Sequence, residues 1–256
     1  MIDVGSGPPL VLIPGIQGRW EWMEPLVAAL AGQRRVITDS LPGEPGSAAG
    51  ASGERSFDAF VEWVDGLLDA AHVSSAVVCG VSFGGLIAVR YAARRPERVQ
   101  ALILVSALGP RWKPEPRQAK YMEWPILGSP LFAMRAVRIS WAELRVTFPG
   151  LWARLRFCVP TALRILRAPA VPWRMAVRAR MAAAENFERD CAHVTAPTLV
   201  VTGERDLDNV VKQDDTMIYL TAIRGASYQL FERTGHLGTI SAPERFAVMV
   251  RTFLNG

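Results

Sequence analysis

The stretch that decides the architecture is Ala76-Val77-Val78-Cys79-Gly80-Val81-Ser82-Phe83-Gly84-Gly85, continued by Leu86 to Arg94 and Pro96. Ala76 to Cys79 is a short apolar run and reads as a buried strand. Phe83 to Arg94 reads as a helix that ends before the proline. Gly80-Val81-Ser82-Phe83-Gly84 therefore puts a serine at a strand-to-helix junction with small residues on either side. Such neighbours permit a tight, strained turn that holds a hydroxyl out of a sheet at a helix N-terminus.

The same alternation continues in both directions. Upstream, Leu10 to Ile13 and Val36 to Thr38 read as strands. Trp22 to Leu30 and Phe57 to Ala71 read as helices, and a Pro/Gly-rich loop spans Leu41 to Gly53. Downstream, Ala101 to Val105, Thr198 to Thr202 and Tyr228 to Phe231 read as strands, and Pro243 to Leu254 as a closing helix with proline in its first turn. Strands alternating with helices predict an α/β fold: a doubly wound, mostly parallel sheet with helices on both faces.

One segment differs from the rest. The chain has 256 residues and a net charge of +5, yet residues 110–190 hold 15 Lys+Arg against 6 Asp+Glu, a local +9, so the remainder, 14 against 18, is −4. Five of the eight tryptophans lie there too. The expected organisation is a core of 1–106 and 191–256 with a basic, helical insertion at 107–190, cut at Pro149, Pro160, Pro169 and Pro172 into short helices. Three scattered cysteines form no bridge framework or metal motif, and the first residues lack a basic, apolar leader. No apolar run is long enough to span a bilayer. The expectation is a cytoplasmic protein with no metal, no cofactor and no nucleic-acid partner, whose basic segment admits weak contact with a membrane surface.

Sites in doubly wound sheets form at the carboxyl ends of the strands. Ser82 is the candidate nucleophile there. His236, in Thr234-Gly235-His236-Leu237-Gly238 just after the last strand, is the candidate base, since His72 and His193 fall beside helix ends and strand approaches. An acid has to hold the imidazole tautomer, and Gly203-Glu204-Arg205-Asp206-Leu207-Asp208 follows a strand. Asp206 is the choice, with Asp208 and Glu204 as alternatives.

With these residues placed, the chain resembles the α/β-hydrolases, in the group of cap-bearing serine esterases, epoxide hydrolases and haloperoxidases. The resemblance rests on Val11-Leu12-Ile13-Pro14-Gly15, the serine turn with Arg90 to Val99, Pro197 to Asp206, and Gly235-His236. It implies Ser82 as nucleophile, His236 as base, Asp206 as orienting acid, and the backbone N–H groups of Ile16 and Phe83 as an oxyanion hole. Relatives of this kind carry His-Gly where this chain has Pro14-Gly15, so the imidazole that braces the Ile16 loop is missing. They also carry two strands before the one at Leu10, where only Ile2 to Val4 is available. Serine in place of an attacking aspartate excludes dehalogenase and epoxide-opening chemistry. What remains is acyl chemistry on a small or medium lipophilic ester-like substrate through an acyl-enzyme. A carbon–carbon bond hydrolase or acyltransferase with the same residues is the alternative, and so is a non-catalytic binding protein of this fold.

Overall fold

The computed structural model describes residues 1–50 and 56–255; the end of the expected loop, 51–53, lies outside them. Among the described residues one sheet is formed by β1 (Ile2–Val4), β2 (Pro9–Ile13), β3 (Arg35–Thr38), β4 (Ala76–Val81), β5 (Val99–Val105), β6 (Thr198–Gly203) and β7 (Ser227–Phe231). Their order is β1-β3-β2-β4-β5-β6-β7. β1 lies antiparallel to β3, and all other neighbouring pairs are parallel.

Alternating side chains build the two cores. Leu10, Leu12, Val77, Cys79, Ile103 and Val201 face one side and pack with α1 (Glu24–Ala31), while Val11, Ile13, Val78, Leu102, Leu104 and Val200 face the other and pack with α2 (Phe57–Ala70) and α3 (Phe83–Arg94). The central strands are apolar on both faces, as a parallel sheet covered on both sides requires. The expected doubly wound sheet is thus present, and the predicted bounds of α3 match those observed.

Between β5 and β6 the chain runs through α4 (Pro116–Glu123), α5 (Pro125–Thr147), α6 (Leu151–Arg167), α7 (Pro172–Ala184) and α8 (Glu188–His193). After β6 come α9 (Gln213–Met217) and α10 (Tyr219–Ala222), and after β7 come α11 (Gly238–Ser241) and α12 (Pro243–Asn255), which packs beside α1.

Two expectations about the β5–β6 segment need correction. Its helices are longer than its prolines imply: α5 has 23 residues, and α6 runs its 17 residues straight through Pro160. Proline there removes the donor for the Arg156 carbonyl, but Arg156 is exposed and that carbonyl can turn to water. Thr161 Oγ1 also donates to the Phe157 carbonyl at 2.7 Å, adding a bond in the same turn. The expected boundary at residue 190 falls inside α8, which packs on α3. The buried Arg90 of α3 donates through Nε to Asp190 at 2.8 Å and through Nη2 to Glu185 at 2.9 Å, with its guanidinium over the rings of Phe57 and Phe187.

Phe187 is 1% exposed and meets Phe57 edge-on at 4.8 Å. Phe187→Ala should therefore lose about 3–5 kcal/mol of unfolding free energy in urea titrations. Leu166→Ala, at a side chain 75% exposed, should change it by no more than about 0.5 kcal/mol.

Candidate active site

The serine turn is built by close approach. Ser82 has φ 56° and ψ −120°, a conformation that costs a residue with a Cβ on the order of 1–3 kcal/mol and persists only when its surroundings enforce it. A Cβ on Gly80 would lie 2.4 Å from the Gly84 carbonyl oxygen, and one on Gly84 would lie 2.5 Å from that of Ile13. Only glycine lets α3 start this close to β4 and to the end of β2. The Ser82 N–H donates to the Val105 carbonyl at 2.9 Å, tying the turn to β5.

His236 stands on the same sheet edge, in the loop after β7, and it is partly buried against the loop that follows β6. Gly203 and Gly235 make the contact, since a Cβ on either would fall within 2.6 Å of backbone in the other loop. The acid that meets His236 is not the expected one. Asp208 Oδ2 lies 3.3 Å from His236 Nδ1, whereas Asp206 is exposed and Glu204 accepts the Arg233 N–H at 2.6 Å. The cause is a turn: Leu207 N and Asp208 N both donate to the Glu204 carbonyl, so the chain coils through Arg205 and Asp206 before a carboxylate returns to the edge. Asp208 Oδ1 then accepts the N–H groups of Val210 and Val211, both at 3.0 Å, which fixes its orientation.

Burial alone would raise the Asp208 carboxyl, but the charge and hydrogen bond of His236 and the two backbone donors hold it below its ordinary value. Burial likewise pulls the His236 imidazole down, and the charge of Asp208, its hydrogen bond and the charge of Glu143 outweigh that and raise it. With Nδ1 committed to Asp208, Nε2 is the ring nitrogen left to accept a proton. The structure joins His236 to Asp208 but forms no hydrogen bond between Ser82 and His236; such bonds often close only when substrate is present. Among the described residues no hydrogen bond uses the N–H of Ile16 or of Phe83, and the Gly15 Cβ position is 3.4 Å from Ser82 Cβ. Two unclaimed donors therefore lie in the turns flanking the serine.

A family model of the α/β hydrolase fold matches residues 8–129. The enol-lactonase from Burkholderia xenovorans LB400 superimposes with a TM-score of 0.77 over 100% of this chain and 95% of its own, at 23% identity. This chain has the α/β-hydrolase fold. In sequence it is 29% identical to a 2-hydroxymuconate semialdehyde hydrolase from Pseudomonas sp. (strain CF600), over 98% of this chain and 88% of that enzyme. It is 26% identical to a pimeloyl-[acyl-carrier protein] methyl ester esterase from Nitrosomonas europaea, over 94% of each.

Two charged residues that sequence reasoning missed brace the site loops. Arg178, fully buried on α7, pairs with the fully buried Glu44 at 2.8 Å and donates to the carbonyls of Ile16 at 3.0 Å and Pro42 at 3.3 Å. The loop of Ile16 is thus held by a guanidinium. Glu143, 1% exposed on α5, accepts the Leu237 N–H at 3.0 Å through Oε2, one residue after the histidine. Burial raises its carboxyl above the usual range, partly offset by the N–H groups of Leu237 and Gly235. Sequence offered one signal, for Glu143: it is the lone carboxylate between residues 125 and 167.

Arg178→Met strands the Glu44 charge in the interior and should cost about 3–5 kcal/mol of stability. Replacing both partners by apolar residues should cost less than the single change, as a double-mutant comparison in urea will show.

Proposed function

We propose that the chain is a serine hydrolase in which Ser82 attacks a carbonyl carbon, His236 takes the serine proton and Asp208 holds the imidazole. The observation that carries this reading is the pairing of a strained serine turn with a largely enclosed His236–Asp208 couple on one sheet edge. Ser82 Oγ forms the bond to carbon while His236 Nε2 accepts its proton. The carbonyl oxygen takes up the negative charge between the N–H groups of Phe83 and Ile16, where fixed donors in a dry site are worth about 2.7–4 kcal/mol each. Collapse expels the leaving group, which receives the proton from His236, and water attacking the acyl-enzyme repeats the sequence and frees Ser82. The substrate class proposed is a small or medium lipophilic ester, in line with the similarity to a methyl ester esterase. Carbon–carbon hydrolysis by the same residues is the second reading, favoured by the similarity to the 2-hydroxymuconate semialdehyde hydrolase.

A fluorophosphonate probe should label Ser82 stoichiometrically, and a folded chain that stays unlabelled would refute the enzyme reading. Comparison of kcat/KM on esters and on 1,3-diketones that release an acid separates the two readings. Asp208→Asn should lose on the order of 10⁴ in turnover while Asp206→Asn stays near wild type.

The direction of the His236 shift sets the pH dependence. A base must be unprotonated to act, and its charged form is favoured here, so kcat/KM should fall on the acid side with a midpoint above the ordinary imidazole value of 6.5. Glu143→Gln removes one of the charges that raise it and should move that midpoint down. A wild-type midpoint at or below 6.5, or no movement in the variant, contradicts this assignment.

A further inference from the structure

Helices at a protein surface normally turn their apolar stripe inward. Helix α6 does the opposite. At about 100° per residue, Leu151, Trp152, Leu155, Val159, Leu163 and Leu166 fall within an arc of about 120°, and all six are exposed, Trp152 at 83%. The opposite side of the helix carries Arg154, Phe157, Thr161 and Arg164. Arg154 lies over the Trp141 ring, Phe157 stacks on Phe148, and Arg164 bonds Glu24. None of the residues of α6 is buried. Helix α5 meets that inner side of α6 through the Trp141 ring, and further toward its N-terminus it carries exposed apolar side chains of its own: Ile126, Leu127, Met134 and Val137 fall within an arc of about 100°.

The charge on these two helices has one sign. Residues 125–167 contain seven arginines and one carboxylate, and that carboxylate, Glu143, is turned inward onto the histidine loop. Among the described residues no carboxylate pairs with Arg135, Arg138, Arg145, Arg156 or Arg167, and all five are exposed. Arg138 borders the α5 stripe, and Arg156 and Arg167 border that of α6.

We propose that α5 and α6 form a docking face for an anionic phospholipid surface. Leucine, valine and tryptophan enter the boundary between headgroups and acyl chains, and the bordering arginines meet the phosphates, the arrangement by which amphipathic helices lie in a membrane interface. A second copy of the chain would bring the same unpaired arginines against one another, so charge complementarity favours the lipid. Among the described residues no helix is long and apolar enough to cross a membrane, so attachment is to the surface.

The test is sedimentation of the purified chain with vesicles of phosphatidylcholine alone and of phosphatidylcholine mixed with phosphatidylglycerol. The wild type should sediment with the mixed vesicles, with a blue shift in tryptophan emission and loss of binding at high salt, and should ignore the neutral ones. Leu155→Glu with Leu163→Glu should weaken binding by more than about tenfold, because two exposed leucines have left the acyl boundary. Arg156→Glu with Arg167→Glu should weaken it too. All four positions are exposed, so thermal melting should stay unchanged. Failure to bind anionic vesicles, equal binding to neutral ones, or binding that survives both double variants overturns the proposal. So does a dimer of the wild type that the leucine variant dissociates, since a second copy then covers the face.

Discussion

The approach of α3 to β4 is the constraint on which the site depends. A helix axis and a neighbouring strand are ordinarily kept apart by side chains, and here Gly80, Gly84 and Gly85 remove them. The helix can then begin directly at Ser82, whose left-handed backbone is held by hydrogen bonds to Val105 and from Gly85 and Leu108. Because the Gly84 position touches the carbonyls of Ile13 and Pro14, the same contact fixes the turn after β2 relative to the serine. A side chain added at this point would displace the donors of Ile16 and Phe83 together, with the hydroxyl they flank.

The β5–β6 segment is energetically part of the site. It sends a fully buried cation, Arg178, to the Ile16 loop and a buried carboxylate, Glu143, to the His236 loop. Arg233 adds a third tie, donating to the Val146 carbonyl at 3.2 Å, while Thr147 Oγ1 donates to the Arg233 carbonyl at 3.0 Å. Burying charge is costly, so these groups hold their positions only while every partner stays in place. Movement of α5 or α7 would therefore be felt at His236 and at the Ile16 N–H.

The sheet was legible in the sequence because a strand buried on both faces needs an apolar run, and local composition records it. The Ser82 turn and the His236 loop were legible for a similar reason: each is marked by glycines next to the residue concerned. Asp208 was not separable from Asp206, because the two differ only in how the Glu204–Leu207 turn coils, and either spacing satisfies the sequence. Arg178 and Glu143 act across 162 and 94 residues of chain to reach Ile16 and Leu237. Nothing local distinguishes Arg178 from the other arginines of its segment. The length of α6 was hidden by Pro160, whose penalty of about 3 kcal/mol in a helix interior ordinarily ends the helix.

That penalty also bears on what α6 is for. Most helical stability in proteins comes from burying an apolar face, and Pro160 divides the 17 residues of α6 into stretches too short to be stable alone in water. Helix α6 carries an interior proline and buries none of its residues; the ion pair to Glu24, the Phe148 stack, the Trp141 contact and the Trp22 Nε1 bond to the Ala168 carbonyl at 2.7 Å hold it from its inner side. A surface that accepted its six outward apolar side chains would supply the missing burial, and by linkage would stabilise the helix in proportion to its affinity. Because α5 carries such a stripe as well as Glu143, the same contact would steady the loop of His236. The outer face and the sheet edge that carries His236 are thus joined through one helix.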